Sequence, residues 1–185
     1  MQLSFLVGAV ALLVAGVGKL RHPAGTVQAL RTQGLPSAPG TVRALGATEV
    51  LLALAGAAGS APAAWGVAAL YAGFTGFVLL ALGRRRPLSS CGCFGGPDLP
   101  PTRTHAVLTA ALALAAGATA TTTPGIPALL ALGPVAAATA AALVALLCAL
   151  TLLVLTGLPR LVAARRLIRP ARSASTRPTT SRGNA

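Results

Sequence analysis

Between Ala44 and Gly83 the chain carries one charged residue, Glu49, and between Thr104 and Pro159 it carries no formal charge at all. Met1 to Gly18 is likewise uncharged. A helix that crosses a bilayer needs about 20 mostly apolar residues. Only structures that satisfy their own backbone hydrogen bonds, helices foremost, can occupy hydrocarbon. Of the 185 residues, 55% are hydrophobic and 9% are charged, whereas an ordinary soluble domain is about one-quarter charged. These proportions exclude a soluble enzyme, a disordered chain and a disulfide-stapled secreted miniprotein. They leave an all-α, polytopic membrane bundle, and the length is that of one domain.

Glycine and proline divide the apolar runs. The first helix covers about residues 2–18 and ends at Lys19 and Arg21. It lacks the basic leading segment of a signal peptide and is read as a retained span. Residues 24–42 form a polar connector punctuated by Pro23, Pro36, Pro39 and Gly40, with a short interfacial helical stretch around Thr26–Gln33. Gly59-Ser60-Ala61-Pro62 splits the second run into helices at about 44–59 and 63–83. Thr121 to Pro127 splits the third into helices at about 104–121 and 134–158, with Pro134 tolerated in a first turn. Residues 128–133 read as a short re-entrant or interfacial piece. Five spans result, with four as the alternative count. Residues 1–158 form the bundle and 159–185 a basic tail.

The 15 Lys and Arg residues sort by connector. The first connector holds Lys19, Arg21, Arg31 and Arg43; the third holds Arg84, Arg85, Arg86 and Arg103; the tail holds the remaining seven. With five spans all three groups lie on one side, and the positive-inside rule makes that side cytoplasmic. The expected protein is multi-pass in the cell (inner) membrane, with its N-terminus outside and its C-terminus inside. Four spans would put either the tail or the first two basic connectors on the wrong side. The net charge of +13 raises nucleic-acid binding, but aromatic residues at 3% leave no stacking surface for bases. The partner so indicated is the lipid bilayer. The tail from Arg169 onward reads as disordered and lying near anionic lipid.

Chemistry is concentrated in Cys91-Gly92-Cys93-Phe94-Gly95-Gly96. Cα atoms two residues apart lie about 5–7 Å from one another, which overlaps the disulfide range. Gly92 lets the chain bend. The ring would be strained, and strain makes a disulfide exchange-prone. The neighbouring Arg84–Arg86 cluster favours thiolate. Two other readings stand beside a redox pair: free cysteines in a Gly-rich turn, or a partial zinc site completed by His22 and His105. A structural zinc takes four ligands and the usual Cys-x-x-Cys bite is missing, so no metal is expected. Cys148, in the middle of the last span, behaves as a small hydrophobe.

Glu49 is the one acid inside a span, where such residues are costly and are paired or functional. It lies about 9 Å inward from Arg43 at helical rise. Lys19 closes the first helix on the same side and is its simplest partner, with Arg21 as the alternative. The pair serves either as an interhelical clamp or in proton handling. Asp98 is expected to pair with a nearby arginine. Gly8, Gly16, Gly56, Gly73 and Gly76 lie inside spans and allow close helix approach. No cofactor is expected. A quinone is possible in such a protein, but Trp65, Tyr71, Phe74 and Phe77 read as lipid-facing or core residues and define no pocket.

Gly18-Lys19-Leu20-Arg21-His22-Pro23 at the end of the first helix, Glu49 in the second and Cys91-Gly92-Cys93-Phe94-Gly95 after the third resemble the MauE/DoxX-like membrane proteins, above all the methylamine utilisation family MauE. The resemblance covers about residues 1–158. It implies a redox-associated protein that works alongside a thioredoxin-like partner in maturing the disulfide-rich small subunit of methylamine dehydrogenase. It makes Cys91 and Cys93 the catalytic pair, with Lys19, Glu49 and Arg21 supporting. The arginine count, however, puts the thiols on the cytoplasmic side, where cysteines are normally kept reduced. The loop therefore takes electrons from a cytoplasmic donor or folds back into the bundle.

Overall fold

The computed structural model describes residues 2–84, 102–122, 125–151 and 153. Among the described residues all regular structure is helical. The helices are α1 (Gln2–Arg21), α2 (Ala24–Thr32), α3 (Pro39–Ala57), α4 (Ala61–Gly83), α5 (Arg103–Ala120), α6 (Ile126–Leu130) and α7 (Pro134–Thr151). The segment 85–101, with Cys91, Cys93 and Asp98, lies outside the described residues, as does the tail.

The helix limits follow from local chemistry. Helix α3 begins at Pro39, five residues before the expected 44. Proline has no N–H to lose at a first turn and its φ is already helical, so the helix starts there and carries Arg43 within it. Ala58 closes α3, and Gly59 at φ +100° turns the chain, a conformation that costs glycine little. Ser60 then caps α4 by accepting the Ala63 amide at 3.4 Å. Thr102 caps α5 by accepting from His105 N at 3.4 Å. The interfacial stretch expected around Thr26–Gln33 is α2, and α6 occupies the short piece between the last two long helices.

The long helices alternate in direction. Gly16 lies against Gly46 while Phe5 lies against Gly56, so α1 and α3 are antiparallel. Leu52 meets Gly66, and Gly56 meets Ala63 and Ala64, which sets α4 antiparallel to α3. Thr75 bonds Thr109 at 2.9 Å, and Gly117 packs on Trp65, which sets α5 antiparallel to α4. The core that joins them contains Phe5, Leu12, Ala53, Ala64, Val67, Tyr71 and Ala116. Tyr71 Oη donates to Gly8 O at 2.7 Å and ties α4 to α1.

Helices α1, α3, α4 and α7 are long and apolar enough to cross a membrane. Helix α5 has 18 residues, about 27 Å at helical rise, and packs along α4 and α1. Arg103, Thr104 and His105 make its first turn polar. The five-span expectation thus has four helices that meet both requirements and, in α5, a helix of matching length. Helix α7 buries little of its surface and exposes Leu143, Leu146 and Leu150, as a lipid-facing helix does. An apolar cavity of about 380 Å³ separates it from α1, α3 and α6, lined by residues such as Leu6, Val10, Leu54, Leu129 and Val144. Cys148 also lines it, with Sγ 3.9 Å from Val7 O. Neither Lys19 nor Glu49 reaches this cavity.

Candidate functional site: a buried ion pair at the basic end

The antiparallel order of α1, α3, α4 and α5 brings one set of helix ends together. The C-terminus of α1, the N-terminus of α3, the C-terminus of α4 and the N-terminus of α5 share one end of the bundle. Helix α2 lies across that end, with Ala29 packed against Ala81 and Phe77 of α4. Arg84 Nη1 donates to Gln33 O at 2.7 Å and pins the exit of α2 to the exit of α4. The basic residues described are Lys19, Arg21, Arg31, Arg43, Arg84 and Arg103, and all of them belong to this end. Lys19 alone among them is buried.

Lys19 meets Glu49 between α1 and α3. Its Nζ lies 2.9 Å from each carboxylate oxygen and donates to Oε2. Oε1 is within ion-pair distance but has no aligned donor. The pair is sealed from solvent: Lys19 is 3% exposed and Glu49 0%. The Phe74 ring of α4 covers the ammonium, with Nζ 5.3 Å from its centroid, a favourable cation–π distance. Tyr71 in turn packs edge-on against Phe74. The sequence reading offered Arg21 as an alternative partner; Arg21 is exposed, and Glu49 is held by Lys19.

Two glycines position the pair. A Cβ on Gly16 would stand 2.7 Å from Gly46 O and 3.0 Å from Glu49 Cβ; one on Gly46 would stand 2.8 Å from Gly16 O and 3.0 Å from Lys19 Cβ. Each glycine therefore sits three residues before one partner of the pair and directly against the other. No side chain larger than hydrogen fits at this crossing without displacing backbone. Gly16 figured in the sequence reading as a small residue in a span; Gly46 did not. What could have found it is the repeated spacing Gly16-x-x-Lys19 and Gly46-x-x-Glu49.

Gln33 is a second residue the sequence reading passed over. It follows α2 directly and is 1% exposed, yet neither atom of its side-chain amide has a hydrogen-bond partner. An unmade hydrogen bond on a buried polar group costs about 1–3 kcal/mol. His105 is buried at the start of α5, with Nδ1 2.9 Å from Thr102 Oγ1. His22 is exposed at the end of α1.

Cys91 and Cys93 lie outside the described residues. The residues on either side of their segment, Arg84 and Thr102, both stand at the basic end, the first at the exit of α4 and the second at the start of α5. The profile of the methylamine utilisation protein MauE matches residues 2–123. The chain belongs to the MauE family. The matched part of this MauE-family chain contains Lys19, Glu49, Cys91 and Cys93 and ends before α6, short of the 158 residues suggested by the sequence resemblance. No curated protein matches the chain, and no solved structure does.

Proposed function

We propose that this MauE-family membrane protein is a thiol–disulfide relay in which Cys91 and Cys93 exchange electrons with a partner of the thioredoxin type, on the cytoplasmic side of the inner membrane. The observation that carries this reading is the convergence at one end of the bundle: the buried Lys19–Glu49 pair, the exposed arginines and both flanks of the Cys-Gly-Cys segment. Arginines beside a thiol favour its thiolate.

The exchange balances in two steps. One thiolate of the pair attacks a disulfide sulfur of the partner. That S–S bond breaks, the departing partner sulfur leaves as a thiolate and takes up a proton, and a mixed disulfide forms. The second thiolate then attacks the pair's own sulfur in the mixed disulfide. It expels the other partner sulfur and closes the Cys91–Cys93 bond. Two electrons have passed to the partner. A second dithiol, a donor on the cytoplasmic side distinct from that partner, restores the pair by the same steps in reverse and is itself oxidised to a disulfide. Family membership makes the maturation of a disulfide-rich enzyme of methylamine metabolism the physiological setting of this proposal. In it Lys19 and Glu49 act as a clamp that fixes α1 against α3 at the basic end, with Arg21 exposed at the same end.

Trapping tests the reading in a Cys148→Ser background. Replacing the resolving cysteine by serine should accumulate a mixed disulfide with the partner, and replacing the attacking one should abolish it. Absence of the adduct from both single variants would leave a non-catalytic scaffold or small-solute carrier as the better account.

A further inference from the structure

Among the described residues, the buried side-chain polar atoms without a hydrogen-bond partner are Gln33 Nε2, Gln33 Oε1 and Glu49 Oε1. Both residues belong to the basic end, and α4 connects them. Phe74, Phe77, Ala81 and Arg84 recur at spacings of three and four and so share one stripe of α4. Along that stripe from the bundle interior outward, Phe74 covers Lys19 Nζ, Phe77 and Ala81 pack on Ala29 of α2, and Arg84 Nη1 holds Gln33 O. Helix α2 therefore roofs the strip of α4 that runs from the surface to the Lys19–Glu49 pair, with Gln33 at its outer limit.

The chemistry of the orphan atoms defines what fits between them. The Gln33 amide offers one donor group and one acceptor, and Glu49 Oε1, in ion-pair contact with Lys19 Nζ at 2.9 Å, keeps acceptor capacity. The carboxylate already has its counter-charge in Lys19, and the outer end is lined by arginines, so a cation is disfavoured. An anion would meet the Glu49 oxygen. Small neutral molecules that both donate and accept suit the atoms at each end, and buried water does this with about three hydrogen bonds to otherwise unpaired groups. We infer that the seam beneath α2 is hydrated, and that water, and protons with it, reach the buried Lys19–Glu49 pair from the basic end of the bundle. Gln33 is the residue that holds the outer water. This inference does not depend on the thiol chemistry.

The chain contains a single lysine, so isotopically labelled lysine gives one side-chain ammonium signal from the full-length protein in lipid bilayers. Water-edited solid-state NMR measures how fast magnetisation passes from mobile water to that nitrogen. The amide of Val67, 0% exposed and in the core on α4, supplies the dry reference. Transfer to Lys19 should be severalfold faster than transfer to Val67. Gln33→Met, which keeps the side-chain length and removes both hydrogen-bonding groups, should slow the Lys19 transfer toward the Val67 rate. Transfer to Lys19 no faster than to Val67 overturns the inference, as does a Gln33→Met protein with the Lys19 rate unchanged. If Gln33→Met yields no folded protein, the comparison of Lys19 with Val67 in the native chain decides the matter alone.

Discussion

Breaking the Lys19–Glu49 pair from one side should harm this protein far more than removing it altogether. At the observed 2.9 Å separation, the attraction is about 6 kcal/mol at an effective dielectric of about 20. Much of that is offset by the cost of taking both charges out of water. Lys19→Met leaves the Glu49 carboxylate buried without its cation, and the expected loss is about 3–5 kcal/mol. In Lys19→Met/Glu49→Met both charges are gone. Gly16 and Gly46 leave room for the Cβ atoms of Glu49 and Lys19, which methionine retains, so the helix crossing survives. The double variant should therefore lie within about 1 kcal/mol of the native protein or above it. Reversible unfolding in mixed micelles by titration with a denaturing detergent measures both variants, and the double-mutant cycle with Glu49→Met isolates the coupling. A double variant as unstable as the sum of the two singles would refute the argument, because it would mean that the side chains contribute independently.

Other substitutions test the remaining contacts. Gly16→Ala places a Cβ 2.7 Å from Gly46 O and should cost about 1–3 kcal/mol by the same unfolding assay, with the Lys19 ammonium signal shifted as the pair is forced apart. Gly125 has φ +93° and a Cβ there would strike Ala57 O; Gly125→Ala should cost a similar free energy, about 1–3 kcal/mol, in the same unfolding assay. Tyr71→Phe removes a 2.7 Å hydrogen bond to a helical carbonyl and should cost only about 0.6 kcal/mol, the average for interhelical bonds in lipid. Arg21→Gln, at an exposed position away from Glu49, should change stability by less than about 0.5 kcal/mol.

The charges were legible in the sequence because the bilayer makes each one expensive. An uncharged run interrupted only by Glu49, and a helix that ends on Lys19, point to each other before any coordinates are known. The antiparallel order followed from the Gly-Pro breaks at 59–62 and 121–127. The Gly16–Gly46 crossing was only half legible. A glycine inside a span signals close approach, but which glycine it meets depends on the register between two helices, and register is a property of the pair. Arg43 does not mark the start of α3, which begins four residues earlier at Pro39; an arginine near the end of a spanning helix reaches the interface and need not end it. Gln33 was hidden for another reason. Its burial comes from α2 folding back over α4 and from Arg84 seizing its carbonyl, contacts between residues 51 apart in the chain.

The most direct test of the account concerns the side of the membrane on which the twin thiols stand. In a Cys148→Ser protein, a membrane-impermeant maleimide applied separately to right-side-out and inside-out vesicles should label Cys91 and Cys93 only from the cytoplasmic face, together with an Arg31→Cys probe exposed on α2 at the basic end. Labelling of the two native cysteines from the opposite face, with the residue 31 probe still cytoplasmic, would separate the thiols from the Lys19–Glu49 end and contradict the relay as drawn.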